Sequence, residues 1–497
     1  MRVTNGWYVD EGRVVWGLAQ HNGIWGGYRE RDGWFADCPI RPNIAARDPG
    51  RTGPGHTEDL DRLTDAMVEH GVPGFEHCFG LWFDRRRDTH DTERRADPDA
   101  VPPFLEQPWP RSGGGAAWDG LPRYDLDRFN PYYFRRLKEF ADLCDRKGLV
   151  LFHDFYLQHA LVEVEAHYVD FPWRPANCLQ PTGMPDRVPA ANAFYDVEHP
   201  VRGELHRRYI RKCLDVLGDN RNVVHLLAEE YTGPLSFVQF WLDEIRRWEA
   251  ENGRSLHVGL GATKDVTDAV LDDPARAGSI STIDLRYWSY DASGSLDAPR
   301  GGRQIPARFM DGMRPTPSQL YRQVAEYRTR YPDRALVIER HLPSRQHVWA
   351  FLMGGGSMLI DKIHFPSDGS PKSLPPADYA APVGSDIARI PFRLVAEHLA
   401  APLARARPLP LGDGQEHWCL ADPGRFYLVY LLRGGPLTVR LPPGVPAARC
   451  RWLDPRTGEV LEGGTPVTDP AGRVEVTAPD GQDWALWLVP HPVPSGP

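Results

Sequence analysis

The sequence predicts a (β/α)8 barrel, the TIM-barrel architecture of the α/β class, followed by a small antiparallel β-sandwich. Between about residues 55 and 405, short apolar runs alternate with helical patterns, and about eight strand–helix units can be counted. After Pro408 the helical period disappears and short strands are divided by Gly, Pro and Asp. We therefore divide the 497 residues into a barrel with long inserted loops, 1–407, and a sandwich, 408–497.

Each barrel strand is predicted from a short apolar run, because strands of a parallel sheet are buried on both faces. In chain order the predicted strands are Val14–Ala19, 72–80, 149–155, 222–228, 257–262, 281–288, 335–340 and 355–360.

The intervening helices are predicted from apolar residues at helical spacing. They begin near Leu60 and cover 130–148, 201–217, 235–252, 264–272, 317–330, 345–353 and 386–403. The helix over 130–148 has clear end signals: Asn130 as N-cap, Pro131 at the first helical position and Gly148 as its stop. The Pro-, Gly- and Arg-rich segment 84–128 is too long for a plain connector, and we expect it to shape a cleft.

In the C-terminal part, strands are predicted at 417–421, 425–433, 437–441, 448–454, 473–478 and 483–489. Trp452, Trp484 and Trp487 lie in these strands, and we expect them to form part of the sandwich core.

Composition excludes several classes of protein. Apolar residues make up 41% and charged residues 25%, as in ordinary globular proteins, and the net charge of −9 with scattered basic residues argues against a nucleic-acid partner. Seven cysteines without CxxC spacing argue against a disulfide framework and a thiolate zinc site. The first residues, MRVTNGWYVDEGR, do not have the pattern of a signal peptide, and no apolar run is long enough to span a membrane. We therefore expect a cytoplasmic protein without a membrane partner.

Ionisable and aromatic residues follow six of the predicted barrel strands. They are Gln20-His21-Asn22, Glu76-His77, His153-Asp154, Glu229-Glu230, the segment 284–288 and Glu339-Arg340-His341. Because the loops at the C-terminal ends of barrel strands form the active site of such folds, we expect these groups to meet at one mouth.

Two of these carboxylates suggest glycoside hydrolysis. Glu230 and Glu339 end the fourth and seventh strands, which places them on opposite sides of the predicted mouth. Such a pair can cleave a glycosidic bond when one group protonates the leaving oxygen and the other attacks the anomeric carbon or activates water. The alternative for each glutamate is a structural ion pair with a barrel arginine, for Glu339 with Arg286 or Arg340.

This arrangement resembles the clan A glycoside hydrolases, which are retaining barrel enzymes. The segments LAEEYTGP, IER and WAFLMGGGSM look most like poorly characterised families related to apiosidase-type enzymes. The resemblance implies that Glu230 is the acid/base and Glu339 the nucleophile. One residue departs from the clan's pattern: Glu229 stands where the clan usually has the Asn that contacts the sugar 2-hydroxyl, so Glu229 itself is an alternative acid/base.

The remaining candidates are expected to bind the sugar. They are His21, Trp25, His77, His153, Asp154, Glu229, Arg286, Tyr287 and Trp288. For His21 and His77 a place in the core is an equal alternative, and only one of Tyr287 and Trp288 should face the cleft if both continue a strand. The spacing of His153, Asp154 and His159 does not fix a third metal ligand, so we predict no metal and no cofactor.

The sequence thus predicts a retaining glycoside hydrolase with a carbohydrate substrate. The large segments 84–128 and 165–195 suggest a pocket that acts on chain ends or small glycosides. Two alternatives remain: a barrel that binds carbohydrate without cleaving it, and a lyase or isomerase of uronic acids. In the latter, His153 or a glutamate would be the base, and Arg286 would neutralise the substrate carboxylate.

Overall fold

A computed structural model describes the fold of most of the chain. The described residues are 1–20, 60–77, 107–118, 122–162, 168–169, 171–229, 231–302, 313–361, 386–410, 417–441 and 448–490. No helix among them is both long and apolar enough to cross a membrane.

A small antiparallel sheet precedes the barrel. Its strands are β1 (Arg2–Thr4), β2 (Trp7–Asp10) and β3 (Arg13–Val14). The backbone amine of Met1 donates to Asn222 Oδ1 at 2.9 Å, just before the fourth barrel strand begins, so this sheet lies at the N-terminal end of the barrel. The predicted first strand, Val14–Ala19, is therefore divided: Val14 belongs to β3, and the barrel strand starts at Leu18.

Eight parallel strands close into a barrel, as the sequence predicts. The first six are β4 (Leu18–Gln20), β5 (Gly74–His77), β6 (Val150–Leu157), β7 (Val223–Glu229), β8 (His257–Gly261) and β9 (Ile280–Asp284). A hairpin of β10 (Ser289–Tyr290) and β11 (Leu296–Asp297) follows, and the last two barrel strands are β12 (Ala335–Glu339) and β13 (Met358–Asp361). The strand β13 pairs with β4 and completes the closure.

Helices cover the outside of the barrel. They are α1 (Leu60–Glu69), α2 (Pro131–Lys147), α3 (His159–Val162), α4 (Ala191–Phe194), α5 (Pro200–Leu217), α6 (Leu235–Asn252), α7 (Lys264–Leu271), α8 (Pro317–Arg330), α9 (Arg345–Met353), α10 (Asp386–Leu394) and α11 (Ala400–Leu403), with a π-helical turn at Val395–Leu399. Asn130 Oδ1 accepts a hydrogen bond from the backbone N–H of Tyr133 at 3.4 Å, which confirms the predicted N-cap.

Residues alternate between the two faces of each barrel strand. The side chains that fill the interior include Ala19, Val150, Phe152, Val224, Leu226, Ala335, Val337, Met358 and Ile360, with Tyr8 of the N-terminal sheet. Their neighbours in sequence, among them Leu151, Leu336 and Ile338, belong to the layer between strands and helices. A Cβ atom at Gly259 of β8 would lie 2.5 Å from Leu226 Cδ2, so the interior leaves no room for a side chain there.

Two antiparallel sheets follow the barrel, as predicted. Their strands are β14 (Arg407–Leu409), β15 (His417–Asp422), β16 (Phe426–Leu431), β17 (Pro436–Arg440), β18 (Ala448–Leu453), β19 (Val460–Glu462), β20 (Arg473–Thr477) and β21 (Trp484–Pro490). The larger sheet has the order β14-β15-β16-β21-β18-β19, and β17 pairs with β20. Val429, Val439 and Val474 belong to the core shared by the two sheets, whereas Leu428 and Tyr430 of β16 belong to the core of the barrel. Both faces of β16 are therefore buried.

Candidate active site

The alternation of the strands decides which polar residues enter the barrel. Glu76 on β5 and Asp154 on β6 are both fully buried, and Asp154 comes two residues after the interior residue Phe152. Glu339 ends β12 two residues after the interior residue Val337. Together with Asp284, the last residue of β9, these side chains form the floor of the barrel mouth.

Arg286 joins three of these carboxylates. It lies two residues after β9 and is buried, with 2% of its surface exposed. Its Nε donates to Asp284 Oδ2 at 2.5 Å, and its Nη2 donates to Glu76 Oε1 at 2.5 Å. Its Nη1 donates to Glu339 Oε2 at 3.5 Å. The Glu339 side chain is 11% exposed, so it is the member of this ion-paired group that reaches solvent.

Burial and charge set the protonation of this group. Burial disfavours the charged form of Arg286, but the attraction of Asp284 and Glu76 raises its pKa well above the usual value. Burial raises the pKa of Asp284 to about 6, against the lowering effect of Arg286. Burial, and then the negative charge of Glu76, raise the pKa of Asp154 well above its usual range.

Two further residues support the loop after β9. Arg340, next to Glu339, donates to the carbonyl oxygens of Arg286 and Trp288, both at 3.3 Å. Burial lowers the pKa of Arg340 to about 10, so it stays positively charged at neutral pH. The ring of Tyr287 is buried and lies with its centroid 5.8 Å from Arg286 Cζ.

At the fourth strand, the structure describes the residues on both sides of Glu230, which itself lies outside the described residues. Glu229 is buried at the end of β7, and its carbonyl oxygen accepts from the backbone N–H of Gln158 at 3.1 Å. The Gln158 side chain donates to Thr232 Oγ1 at 2.7 Å and accepts from the Thr232 N–H at 3.1 Å. Gln158 thus holds the backbone before and after Glu230.

The structure does not bring His77 and His153 to the group around Arg286. They stand side by side on β5 and β6 with ring centroids 5.5 Å apart, on the face that packs against the helices. His77 contacts Tyr133 of α2, and His153 contacts Phe155, which in turn packs on Trp241 of α6.

Trp288 also lies away from that group. The predicted sixth strand, 281–288, ends at Asp284, so Tyr287 and Trp288 do not continue it. The Trp288 ring packs on the ring of Tyr327 of α8 with centroids 5.1 Å apart, and Lys264 Nζ lies 5.0 Å from the centroid of the Trp288 ring. The other two candidates, His21 and Trp25, lie outside the described residues.

The sequence predicts Glu76 and Asp284 at the mouth without an individual role and does not single out Gln158; the structure places all three in or beside the mouth. A signal for Glu76 was available: Phe75 and His77 flank it, and an apolar residue that packs against helices implies that its neighbours face the interior. In the part of the chain that the structure describes, no three His, Cys, Asp or Glu residues are arranged to hold a metal ion.

Comparison with protein families gives a match over most of the barrel. A family model described as "Domain of unknown function (DUF6298)" matches residues 1–366. The chain belongs to this family. All the residues that contact Arg286 lie within the part matched by the DUF6298 family, whereas β14–β21 lie beyond it.

Solved structures share the fold of this DUF6298 protein. One titled "Glycoside hydrolase" aligns with a TM-score of 0.54 at 10% identity, over 98% of this chain and 97% of the other. A glycoside hydrolase family 5 structure from Bacteroides vulgatus aligns with a TM-score of 0.50 at 10% identity, over 98% of this chain and 92% of the other. A comparison with curated proteins gives no match. At this identity the likeness shows the fold, and the chemistry has to be inferred from the site.

Proposed function

We propose that this protein is a retaining glycoside hydrolase with Glu339 as its nucleophile and Glu230 as its acid/base. The observation that carries the proposal is the position of Glu339: a partly exposed carboxylate at the end of the seventh barrel strand, beside the buried guanidinium of Arg286. The solved barrels that share the fold and carry glycoside hydrolase titles support the choice of reaction.

In the proposed first step, Glu339 attacks the anomeric carbon while Glu230 protonates the departing glycosidic oxygen. The bond from the anomeric carbon to the leaving oxygen breaks as a bond to a Glu339 oxygen forms. In the second step Glu230 removes a proton from water, which attacks the anomeric carbon and releases Glu339. Arg286 Nη1 donates to Glu339 Oε2 at 3.5 Å and so helps to orient the carboxylate that attacks.

The substrate is proposed to be a carbohydrate, cleaved at a chain end or as a small glycoside, in line with the long inserted segments. The narrower resemblance to apiosidase-type families belongs to this proposal as well. Of the predicted sugar-binding residues, Asp154, Glu229, Arg286 and Tyr287 lie at or beside the mouth, and we keep a role near the sugar for these four. The cytoplasmic location predicted above also belongs to this proposal, and it is supported by the sequence alone.

The geometry disfavours the uronic-acid alternative. Arg286 was the residue expected to neutralise a substrate carboxylate, but it donates to Asp284, Glu76 and Glu339. His153, the histidine considered as a base, lies in the layer between strands and helices. Neither Arg286 nor His153 is placed for the lyase or isomerase reaction. With a glutamate as base, the other option, the reaction would still need a cation in place of Arg286 to neutralise the substrate carboxylate.

The test is the Glu339→Gln variant, assayed with a panel of aryl glycosides and oligosaccharides. Gln keeps the shape of the side chain but is a poor nucleophile, so we expect turnover of the best wild-type substrate to fall roughly 10³-fold or more. Glu475→Gln, on the exposed side of β20, is the matched control and should keep wild-type activity. Normal turnover by Glu339→Gln would contradict the assignment.

A second measurement separates hydrolysis from binding. Incubation of the wild-type protein with a 2-deoxy-2-fluoro glycoside of the same sugar, carrying a good leaving group, should add the mass of one 2-deoxy-2-fluoroglycosyl group to the peptide that contains Glu339. Glycans that bind in calorimetry, with no cleavage and no covalent adduct, would instead indicate a carbohydrate-binding barrel.

A further inference from the structure

Gln158 is a fully buried residue directly after β6, and it contacts the loop that follows β7. Its Nε2 donates to Thr232 Oγ1 at 2.7 Å, and its Oε1 accepts from the backbone N–H of Thr232 at 3.1 Å. Its own backbone N–H donates to the carbonyl oxygen of Glu229 at 3.1 Å. A single residue of the neighbouring loop is therefore bonded to the chain on both sides of position 230.

Tyr195 sets the orientation of the Gln158 amide. It lies at the C-terminal end of α4, and its buried hydroxyl donates to Gln158 Oε1 at 3.0 Å. The amide oxygen thus accepts from Tyr195 and from Thr232, while the amide nitrogen donates to Thr232 Oγ1. A reversed amide would turn its N–H groups towards the backbone N–H of Thr232, which is also a donor.

The loop after β7 is also held from its other side. The backbone N–H of Gly302, in the segment after β11, donates to the carbonyl oxygens of Thr232 at 3.0 Å and Gly233 at 2.9 Å. A Cβ atom at Gly233 would lie 2.7 Å from Tyr231 Cε2 and 2.8 Å from Tyr195 Cε2, so both rings pack closely on this backbone. Contacts from three other segments therefore set the path of the chain next to position 230.

We propose that Gln158 is a positioning residue for the acid/base Glu230, an inference that rests on the proposed hydrolase function. It acts through the backbone at Glu229 and Thr232, which lie on either side of the glutamate. A general acid must reach the glycosidic oxygen at hydrogen-bond distance, and a displacement of about 1 Å can cost roughly 10²-fold in rate. The hydrogen bonds of Gln158 keep the acid/base at this distance.

The test is Gln158→Met, assayed with two glycosides of the sugar that the wild type cleaves best. Met keeps the length of the side chain but loses its hydrogen bonds. With the phenyl glycoside, whose leaving group needs a proton, kcat/KM should fall about 10²-fold. With the 2,4-dinitrophenyl glycoside, whose leaving group needs no proton, kcat/KM should stay near the wild-type value.

The second step of the reaction gives a further signature with the 2,4-dinitrophenyl glycoside. Glu230 is still needed there to remove a proton from water, so kcat and KM of Gln158→Met should fall together. Sodium azide should then raise kcat, because azide attacks the anomeric carbon without losing a proton, forms a glycosyl azide and releases Glu339. Damage to the fold alone would lower kcat without lowering KM.

The matched control is Gln323→Met. Gln323 is also fully buried, and its Nε2 donates to the carbonyl oxygens of Leu285 at 3.0 Å and Trp288 at 2.6 Å, in the loop after β9. Any loss of activity in this variant should be the same factor for both glycosides. An equal loss for both glycosides in Gln158→Met would show that Gln158 has a structural role alone and would overturn the proposal.

Glu230→Ala separates this inference from the proposed function. If Glu230→Ala shows the contrast between the two glycosides and Gln158→Met does not, the acid/base assignment holds and the positioning role of Gln158 is wrong. If Glu230→Ala shows no contrast, or the wild type cleaves no glycoside, the proposed function is wrong and the role of Gln158 is overturned with it.

Tyr195→Phe decides the matter if Gln158→Met does not fold. It removes the hydroxyl that orients the Gln158 amide and keeps the ring that packs on Gly233. The loss of one hydrogen bond should lower kcat/KM for the phenyl glycoside roughly fivefold relative to the 2,4-dinitrophenyl glycoside. A wild-type ratio of the two values would then overturn the proposal.

Discussion

Arg286 contacts carboxylates from three different barrel strands: Asp284 on β9, Glu76 on β5 and Glu339 on β12. Two of these carboxylates are fully buried, so their charge depends on the arginine. A buried ion pair adds little to stability when it is compared with an apolar replacement of the whole group, but removal of one partner leaves a buried charge without compensation.

We therefore predict that Arg286→Met lowers the free energy of unfolding by about 3–5 kcal/mol at pH 7, measured by denaturant unfolding. The control is Arg254→Met, because Arg254 is half-exposed in its ion pair with Asp219 and should contribute at most about 1 kcal/mol. Equal small losses for the two variants would show that Glu76 and Asp284 do not depend on Arg286.

At the same scale, the sequence predicts that ionisable groups gather at the mouth of the barrel, but it does not predict which of them contact each other. Six strand ends are recognisable in the sequence as apolar runs followed by polar residues, and the structure places Asp154, Glu229, Arg286 and Glu339 at or near those ends. The ion pair of Glu339 with Arg286 is one of the alternatives that the sequence analysis names, and it is present in the structure. The contact of Arg286 with Glu76 could not be predicted, because it depends on closure of the barrel. Glu76 and Asp284 were therefore expected at the mouth, but without a named partner.

At the scale of the elements, the positions of the strands could be predicted from the sequence, but which of their residues face the barrel interior could be predicted only in part. The helices 317–330 and 345–353 have the predicted bounds. Thr316 and Pro317 mark the start of the first helix, and Gly354 marks the end of the second. In contrast, His153 lies in β6, where the residues before it are apolar on both faces, so the sequence alone does not show which way His153 points. The packing decides it: Val150 and Phe152 fill the interior, which turns His153 towards the helices.

The outward-facing histidines form a row across three strands, since His77, His153 and His225 are neighbours in register. Burial lowers the pKa of His77 and His225 to about 3, and that of His153 well below the usual value. An unfolded histidine titrates near 6.5, so below that pH the unfolded chain binds protons that the folded row does not, and stability is lost as the pH falls towards about 3.

We predict that His225→Phe makes this acid destabilisation less steep by about 1.4 kcal/mol per pH unit between pH 4 and 6, measured by denaturant unfolding across that range. Phe155→Leu, in contact with the same ring, is the control: it should lower stability by a similar amount at every pH. An unchanged slope for His225→Phe would mean that His225 is protonated in the folded protein.

At the scale of the whole molecule, the sequence divides the chain into two units, but the hydrophobic core does not follow that division. Trp418, Leu428 and Tyr430 of the larger C-terminal sheet belong to the same core as the barrel strands and helices. Tyr430 stacks on Trp349 of α9 with ring centroids 5.1 Å apart, and its hydroxyl donates to the buried carboxylate of Asp483 at 2.7 Å. The sequence shows the change from helical to strand patterns after Pro408, whereas packing between distant segments is set only when the chain has folded.

This shared core predicts that barrel and C-terminal sheets unfold together. Tyr430→Ala removes a buried ring and leaves the Asp483 carboxylate with one hydrogen bond fewer, so it should cost about 3–5 kcal/mol. Because Tyr430 packs against α9, the loss should also reduce the hydrogen-exchange protection of amides in β6 and β7, far along the chain from the substitution. Val467→Ala, at a largely exposed position, should change neither quantity. Two separate calorimetric transitions, or barrel amides that keep full protection in Tyr430→Ala, would show that the two units are stable independently.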